Sequence, residues 1–410
     1  MNAHTPRILL ETLYRDTLAA LNPANAVHDA LDAQYGRGNL PRHLHILAIG
    51  KASQTMAAGA IRWCAGQRVA VLGGLCVSHA FTADPIGHLV AVIGDHPAPG
   101  LHSAASAEAL GAYIVEHVQS HEYVLVLLSG GASALIGAPR DASSAAEYVA
   151  SSERLILSGL RINEINQVRR RLSRWGAGRL GAALQARGAC PTVLVVSDVI
   201  GDDLAAIGSG PCVPDESNAD DERAALIPHR IISNNRAARD ALVAIATAGG
   251  LHASQVPEPL QGDVNRCADR IVMTLLTHAS QARTGTSTRP ARVICWGGEP
   301  TVALPGSDAP PGGRMQALAM TVAKQLHDAG KDAHDITLLA AGTDGRDGTT
   351  EAAGAVVGAQ TWSAMRDVGR TPDQDLAAFR SHDALAAVHG LIPAFASGTN
   401  VNDLVIAMIA

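Results

Sequence analysis

Runs of apolar residues that stop at glycine, serine or aspartate recur along the chain and predict strands covered on both faces. Val124 to Leu128 is unbroken apolar sequence, as a buried parallel strand requires. It runs into Ser129-Gly130-Gly131-Ala132-Ser133, where the glycines permit a sharp turn with unobstructed N–H groups and Ser133 is placed to cap a following helix. His45 to Ile49 before Gly50-Lys51, Pro191 to Val196 before Ser197-Asp198, and Ile336 to Ala341 before Gly342-Thr343-Asp344 repeat the arrangement. Arg68 to Ser78, His88 to Ile93 and His229 to Ser233 are further strand candidates. Val293 to Leu304 reads as two short strands about a corner at Gly297-Gly298, and Leu404 to Met408 as a strand after a polar turn.

Between these runs the period changes to that of helices. Leu9, Leu10, Leu13 and Leu18 share one face of an opening helix. Helical patterns also cover Met56 to Trp63, Leu101 to Ser120, Ala145 to Ala186 with interruptions, Arg239 to Thr247, Asp263 to Ala282 and Met315 to Asp328. Alternating strands and helices predict an α/β fold. The acidic, polar stretch Asp215 to Asp221 is the best boundary, so two α/β domains are expected, at 1–226 and 227–410. Arg283 to Pro290 reads as a polar surface loop, and no repeat of fixed period is present.

Composition narrows the function classes. A chain of 410 residues is long enough for two cores. Aromatics at 3% and a formal charge of −6 speak against a nucleic-acid partner. The six cysteines are far apart and never form CxxC, which fits reduced thiols in a cytoplasmic protein. The N-terminus lacks a signal pattern and no apolar run is long enough to span a bilayer, so no membrane partner is expected.

Candidate chemistry gathers at the strand ends. Lys51 stands just past a strand, where open α/β sheets bind ligands; it is a phosphate-neutralising cation or a solvated helix-start lysine. His96 precedes a proline at a strand exit and is a ligand-facing group or a surface histidine. Ser129, Gly130, Gly131 and Ser133 form an anion cradle or an ordinary turn, and Gly208, Ser209 and Gly210 form a second. Arg169 and Arg179 bind phosphate or belong to a solvated face. Asp198, Asp202 and Asp203 cluster at a strand end, where they can hold Mg²⁺ through water, accept a proton, or cap a turn. Arg314 follows Gly312-Gly313 at a helix start, whose N–H groups attract anions. Asp344 lies in a Gly/Asp loop without the spacing of an EF-hand.

No GxxxxGK[ST], no GxGxxG opening a βαβ unit and no protein kinase set is present. Anion cradles, dispersed cations and clustered aspartates are the equipment of phosphoryl transfer, where positioning and charge neutralisation dominate. The order of the motifs is more specific: Ile-Gly-Lys51-Ala, His96-Pro, Leu-Ser129-Gly-Gly-Ala-Ser-Ala-Leu, Ile-Asn-Gln-Val-Arg169-Arg, Ser-Asp198-Val-Ile-Gly-Asp-Asp, Ala-Ile-Gly208-Ser-Gly-Pro, Gly-Gly-Glu299-Pro-Thr-Val, Gly-Gly-Arg314, Ala-Gly-Thr-Asp344-Gly-Arg-Asp-Gly and Gly-Thr-Asn400-Val-Asn-Asp403. Over nearly the whole chain this series resembles the type II glycerate kinase family.

The resemblance implies a larger Rossmann-like N-terminal domain and a smaller C-terminal MOFRL-like domain with a cleft between them. It implies phosphorylation of D-glycerate to 2-phosphoglycerate with ATP and Mg²⁺, or of a closely related 2-hydroxy acid. Lys51, Arg314 and Asp198 are then the expected catalytic groups. Ser129, Gly130, Gly131, Ser133, His96, Arg169, Arg179, Gly208, Ser209, Gly210, Glu299 and Asn400 are expected to bind substrate or phosphate, and Asp198 and Asp344 the metal. The partners are a small hydroxy acid and a nucleotide, and a homodimer is one assembly consistent with them. Some members carry the name hydroxypyruvate reductase, but the missing dinucleotide fingerprint speaks against an NAD(P)H-dependent reaction. The chain departs from the family pattern at Gly176, where a lysine is expected, at Met315-Gln316-Ala317 for Asn-Gln-Glu, at Ala132 for a glycine, and at Ala396-Ser397. A change of charge and hydrogen bonding at these positions keeps open a second reading, a paralogue that binds nucleotide or hydroxy acid without efficient transfer.

Overall fold

The computed structural model describes residues 5–36, 38, 40–81, 86–141, 144–157, 168–214, 226–283, 291–304 and 310–410. Ile165-Asn166-Gln167, the acidic boundary at 215–221 and the loop at 284–290 lie outside them. The chain forms two compact units, one of Asn22–Asn234 with Gly398–Asn400, the other of Met1–Leu21, Asn235–Ser397 and Val401–Ala410.

The first unit is built on β1 (His43–Ile49), β2 (Ala70–Ser78), β3 (Val90–Ile93), β4 (Tyr123–Leu128), β5 (Cys190–Val196) and β6 (His229–Ser233), in the order β3-β2-β1-β4-β5-β6. Every pairing is parallel. The continuous apolar runs have the expected cause. Leu47, Ile49, Val124, Val126 and Val193 enter one cluster with Leu110 and Ile114 of the helix Leu101–His117 and Leu180 of the helix Arg179–Ala186. The alternate residues Ile46, Ala48, Leu125 and Leu127 are equally buried on the other face, which the helices Pro23–Tyr35 and Ser53–Gln67 cover. This is the strand order of dinucleotide-binding α/β folds, and it reverses between β1 and β4, where the following connections diverge and leave a crevice at the strand ends.

The second unit has a mixed sheet of β7 (His252–Gln255), β9 (Arg292–Thr301), β10 (Ile336–Gly342), β11 (Ala352–Gly358), β12 (Leu391–Pro393) and β13 (Asp403–Ile409), ordered β12-β11-β10-β13-β9-β7, with β8 (Leu260–Asp263) also on β9. The β9 to β13 pairings are antiparallel, while β7 and β8 run parallel to β9. Helices Val264–Arg283 and Arg314–Asp328 fill one face together with Trp296 and Trp362. On the other face Leu10, Leu13 and Tyr14 of the helix Pro6–Ala20 pack with Leu242 of the helix Asn235–Ala248.

Two expectations are corrected, and one strand was missed. The two contiguous segments at 1–226 and 227–410 are not the compact units: the opening helix packs in the second unit, β6 completes the first sheet, and Gly398–Asn400 returns to the first. Val293 to Thr301 is one strand, not two about a corner. Its glycines serve close approach, since a Cβ on Gly297 would stand 1.8 Å from Asn235 Oδ1 and one on Gly298 2.1 Å from the Leu260 carbonyl oxygen. The strand β11 was not anticipated, because Ala-Ala-Gly-Ala carries little strand preference; a Cβ on Gly354 would stand 2.0 Å from the Ala340 oxygen.

Gly298→Ala tests this packing. The residue sits at φ +155° and the clash is with backbone, so the change should lower stability by about 2–3 kcal/mol, read as a lower urea midpoint. An unchanged midpoint would show that β8 can move aside without cost.

Candidate active site

The site in the first unit is built where β1 and β4 end side by side. Ser129 N–H donates to the Ile49 carbonyl at 3.0 Å, and Lys51 N–H to the Gly130 carbonyl at 2.8 Å. Ser129 is fully buried, and its hydroxyl accepts the Ala52 N–H at 3.0 Å. That hydroxyl is therefore engaged in starting the helix Ser53–Gln67, and its full burial keeps it from the surface of the turn. The approach demands bare backbone, because a Cβ on Gly50 would stand 2.1 Å from Ser129 Oγ.

The next residues draw other loops to the same corner. A Cβ on Gly130 would stand 1.7 Å from Asp198 Oδ2, and one on Gly131 would stand 2.9 Å from His96 Cδ2 and 3.4 Å from Lys51 Cγ. Asn400 Nδ2 donates to Asp198 Oδ2 at 3.3 Å. Ser133 does not cap a helix, since Gly131, at φ +84°, holds the cap position of the short helix Ala132–Leu135. Its hydroxyl instead meets Ser209 Oγ at 2.8 Å. Gly208 lies against Ala132, so the two glycine-rich turns form one surface. Gly176 adjoins it: a Cβ there would stand 3.2 Å from the Ser209 carbonyl oxygen, and Ala177 N–H donates to that oxygen at 2.9 Å.

Lys51, Gly130, Gly131, Ser133, His96, Asp198, Gly208, Ser209 and Asn400 are thus brought together, with Gly210 next to them through the Gly178 N–H at 2.8 Å. The Arg179 guanidinium donates to the backbone carbonyls of Arg170, Ser173 and Arg174 and so pins the preceding turn. Arg169 has its Nε buried without a hydrogen-bond partner among the described residues. The three clustered aspartates divide. Asp198 faces Gly130, Asp202 accepts from Asn234 Nδ2 at 2.6 Å, and Asp203 accepts the Ala205 N–H at 2.9 Å as a turn cap.

Sequence reasoning missed His79, just past β2, whose ring centroid lies 6.0 Å from that of His96. The rule that found Lys51, a polar side chain immediately after a strand, would have found it. Burial, then the Lys51 ammonium and then His79 push the His96 imidazole down to about 4, so it is neutral at physiological pH. His79 is lowered by burial and by Lys51.

In the second unit Arg314 opens the helix Arg314–Asp328. Its Nε donates to Asp403 Oδ2 at 2.6 Å and its Nη1 to Glu299 Oε1 at 2.8 Å, and Asn402 Nδ2 donates to Glu299 Oε2 at 3.1 Å. Burial alone would lower the guanidinium, but Asp403 and Glu299 more than offset that and hold it above its ordinary range. Two of the N–H groups at the helix start are taken: Met315 N–H and Gln316 N–H donate to the Asp347 carboxylate at 3.1 and 2.8 Å. Gly313 is bare because that carboxylate lies within 2.1 Å of where its Cβ would be. Asp344 accepts the Arg346 N–H at 3.0 Å in a tight turn. Met315 is fully buried in the hydrophobic core, so this departure is one of packing. Among the described residues, no three His, Cys, Asp or Glu side chains group as a metal site, and no helix is long and apolar enough to cross a membrane.

Comparison with known proteins bears on both units. The model of a domain of unknown function, DUF4147, matches residues 9–243, and that of the MOFRL family matches 292–403. The chain is 30% identical to D-glycerate 2-kinase of Thermotoga maritima, over 97% of each. It is 31% identical to a putative hydroxypyruvate reductase of Agrobacterium vitis, over 88% of this chain and 97% of that one. The crystal structure of glycerate kinase from Thermotoga maritima superposes with a TM-score of 0.81 at 28% identity, covering 97% of this chain and 98% of that one.

His96 links the site to pH. Its proton is taken near 6.5 in an unperturbed imidazole and near 4 here. Between those values the unfolded chain holds more protons, so this contribution to stability is full above about 6.5 and is lost on acidification toward 4. Thermal midpoints followed from about pH 7 to about pH 4 should fall more steeply for the wild type than for His96→Gln. Parallel curves would mean that His96 does not carry the effect.

Proposed function

The chain belongs to the type II glycerate kinase family, with its DUF4147 and MOFRL regions, and we propose that it transfers the terminal phosphoryl group of ATP to D-glycerate or a closely related small 2-hydroxy acid, glycerate yielding 2-phosphoglycerate. It is a phosphotransferase with an alcohol group as acceptor. The observation that carries the finer reading is the convergence of two bare backbone turns, Lys51, neutral His96 and Asp198 at the reversal point of an all-parallel sheet.

Phosphoryl transfer asks a protein chiefly to position the reactants and neutralise charge. The turns Gly130 to Ser133 and Gly208 to Gly210 hold phosphate through backbone N–H groups and the paired serine hydroxyls. Lys51 neutralises the phosphoryl group as it moves. His96, uncharged, donates one ring N–H and adds no competing proton equilibrium near neutral pH. Asp198, oriented by Asn400, accepts the hydroxyl proton or contacts Mg²⁺, with Asp344 the other metal candidate. Asp198 or Asp344 would hold a Mg²⁺ ion, which would supply neutralisation of phosphate charge. Arg314 takes the carboxylate of the acid, and Glu299, an acceptor, is the group there for a substrate hydroxyl.

One departure favours a second reading. Gly176 lies against Ser209, so the lysine expected there is a cation missing from the site itself, and a chain that binds without efficient transfer would follow from its loss. Calorimetric binding of hydroxy acids with no turnover across a panel would support that paralogue. Loss of nicotinamide absorbance with hydroxypyruvate would instead support the reductase name carried by the Agrobacterium relative.

A coupled assay of ADP release with D-glycerate should show turnover that Lys51→Ala lowers at least ~100-fold, the scale of removing a charge-stabilising group. Wild-type rates in that variant would remove Lys51 from the mechanism.

A further inference from the structure

We infer that Asp403 is a positioning residue for substrate binding: it grips one edge of the Arg314 guanidinium so that the remaining donors are held ready for the carboxylate of the acid. The inference rests on the assignment of Arg314 to that carboxylate and goes beyond it in naming what makes the arginine competent.

A guanidinium has five N–H donors in a fixed fork. Asp403 takes two of them, Nε to Oδ2 at 2.6 Å and Nη2 to Oδ1 at 3.3 Å, and Glu299 takes a third from Nη1 at 2.8 Å. Two donors, one on each terminal nitrogen, are left, which is the number a bidentate carboxylate uses. The two acidic partners are not equivalent. The Asp403 side chain is 5% exposed and that of Glu299 44%, so Asp403 is the buried partner and Glu299 the exposed one.

Both ends of the grip are immobilised. Asp403 opens β13, with its backbone registered against Gly298 on β9 and Gly342 on β10. Asn235 Nδ2 ties down the Asp403 carbonyl at 3.0 Å and the Val401 carbonyl at 2.9 Å, and bare Gly297 makes room for it. At the other end Asp347 caps the helix that Arg314 begins. Burying both charges of an ion pair costs desolvation that their attraction often does not repay, so the pair is weak evidence of a purely stabilising role. Here the carboxylate is buried while the arginine side chain keeps 36% of its surface and two uncommitted donors, the asymmetry of a presented group.

The test is a double-mutant cycle on kcat/KM for D-glycerate at saturating ATP, using Arg314→Lys, Asp403→Asn and the pair. Lysine keeps the charge but lacks the fork that Asp403 orients. Asp403→Asn should lower kcat/KM about tenfold or more, through KM for D-glycerate rather than KM for ATP, and should cost less than about twofold when Arg314 is already lysine. Asp403→Glu, which retains the charge, should recover part of the loss and supplies the variant to assay should the asparagine protein fail to fold. An equal loss in both backgrounds, a loss confined to ATP, or no loss at all overturns the inference. If Arg314→Lys itself has wild-type kinetics, the assignment of Arg314 fails first, and the two failures are told apart.

Discussion

Close backbone approach at the ends of β1 and β4 is the constraint on which the first unit's chemistry depends. Parallel neighbours whose connections leave in opposite directions create a crevice, but the crevice binds an anion only if backbone amides, not side chains, line it. Gly50 at φ +133° and Gly130 beneath Asp198 meet that requirement. Ser129 then spends its hydroxyl on the Ala52 N–H, which fixes where the next helix begins and therefore where Lys51 stands. A single buried serine thus converts the geometry of a sheet into the address of a cation. The cluster around it follows, because His96, Ser209 and Asp198 reach the corner only across positions that carry no Cβ.

The second unit solves a related problem with the opposite chemistry. The start of the helix Arg314–Asp328 is a natural place for an anion, and the chain fills it with its own Asp347 carboxylate. Burial raises that carboxyl's proton affinity, while the Met315 and Gln316 N–H groups and Arg314 oppose the rise. With the helix end satisfied internally, attraction for an external anion has to come from the Arg314 side chain. A helix terminus would bind anions of many shapes, whereas a guanidinium held at one edge favours planar, bidentate ones.

What could be read in the sequence follows from which signals are local. Long apolar runs such as Val124 to Leu128 announce buried parallel strands because both faces are covered, and the polar residue after each run marks a strand exit. That rule placed Lys51, His96 and Asp198, and would have placed His79. Signals that depend on distant partners were not legible. The pair Gly297-Gly298 resembles a corner until Asn235 and Leu260 are seen against it. The strand Ala352–Gly358 is written in small residues that carry weak strand preference and is specified by β10, whose Ala340 oxygen lies where a Cβ on Gly354 would be. Ser129 and Ser133 look alike in the chain, yet one is sealed in the fold and the other meets Ser209. The opening helix belongs with residues more than two hundred positions away because its apolar face matches Leu242 and the β10 to β13 surface, a match that periodicity alone cannot express.

The departures from the family pattern are unequal for the same reason. Met315 is enclosed by the core beside Leu318 and Ala319, so a thioether there fills volume, and the neighbouring Gln316 keeps the polar duty by donating to Asp347 and Thr350. Gln316 is the residue of the triplet that the family pattern keeps, so these hydrogen bonds are retained and are no replacement for those of the residues on either side. Gly176 is different: it touches Ser209 and the Arg170 carbonyl oxygen, and the Arg179 guanidinium donates to the carbonyls of Arg170, Ser173 and Arg174. Of the groups brought together on this surface, Lys51 then carries the positive charge, since burial and Lys51 itself lower the proton affinity of both histidines. A site arranged in this way places most of its positive charge on one ammonium group.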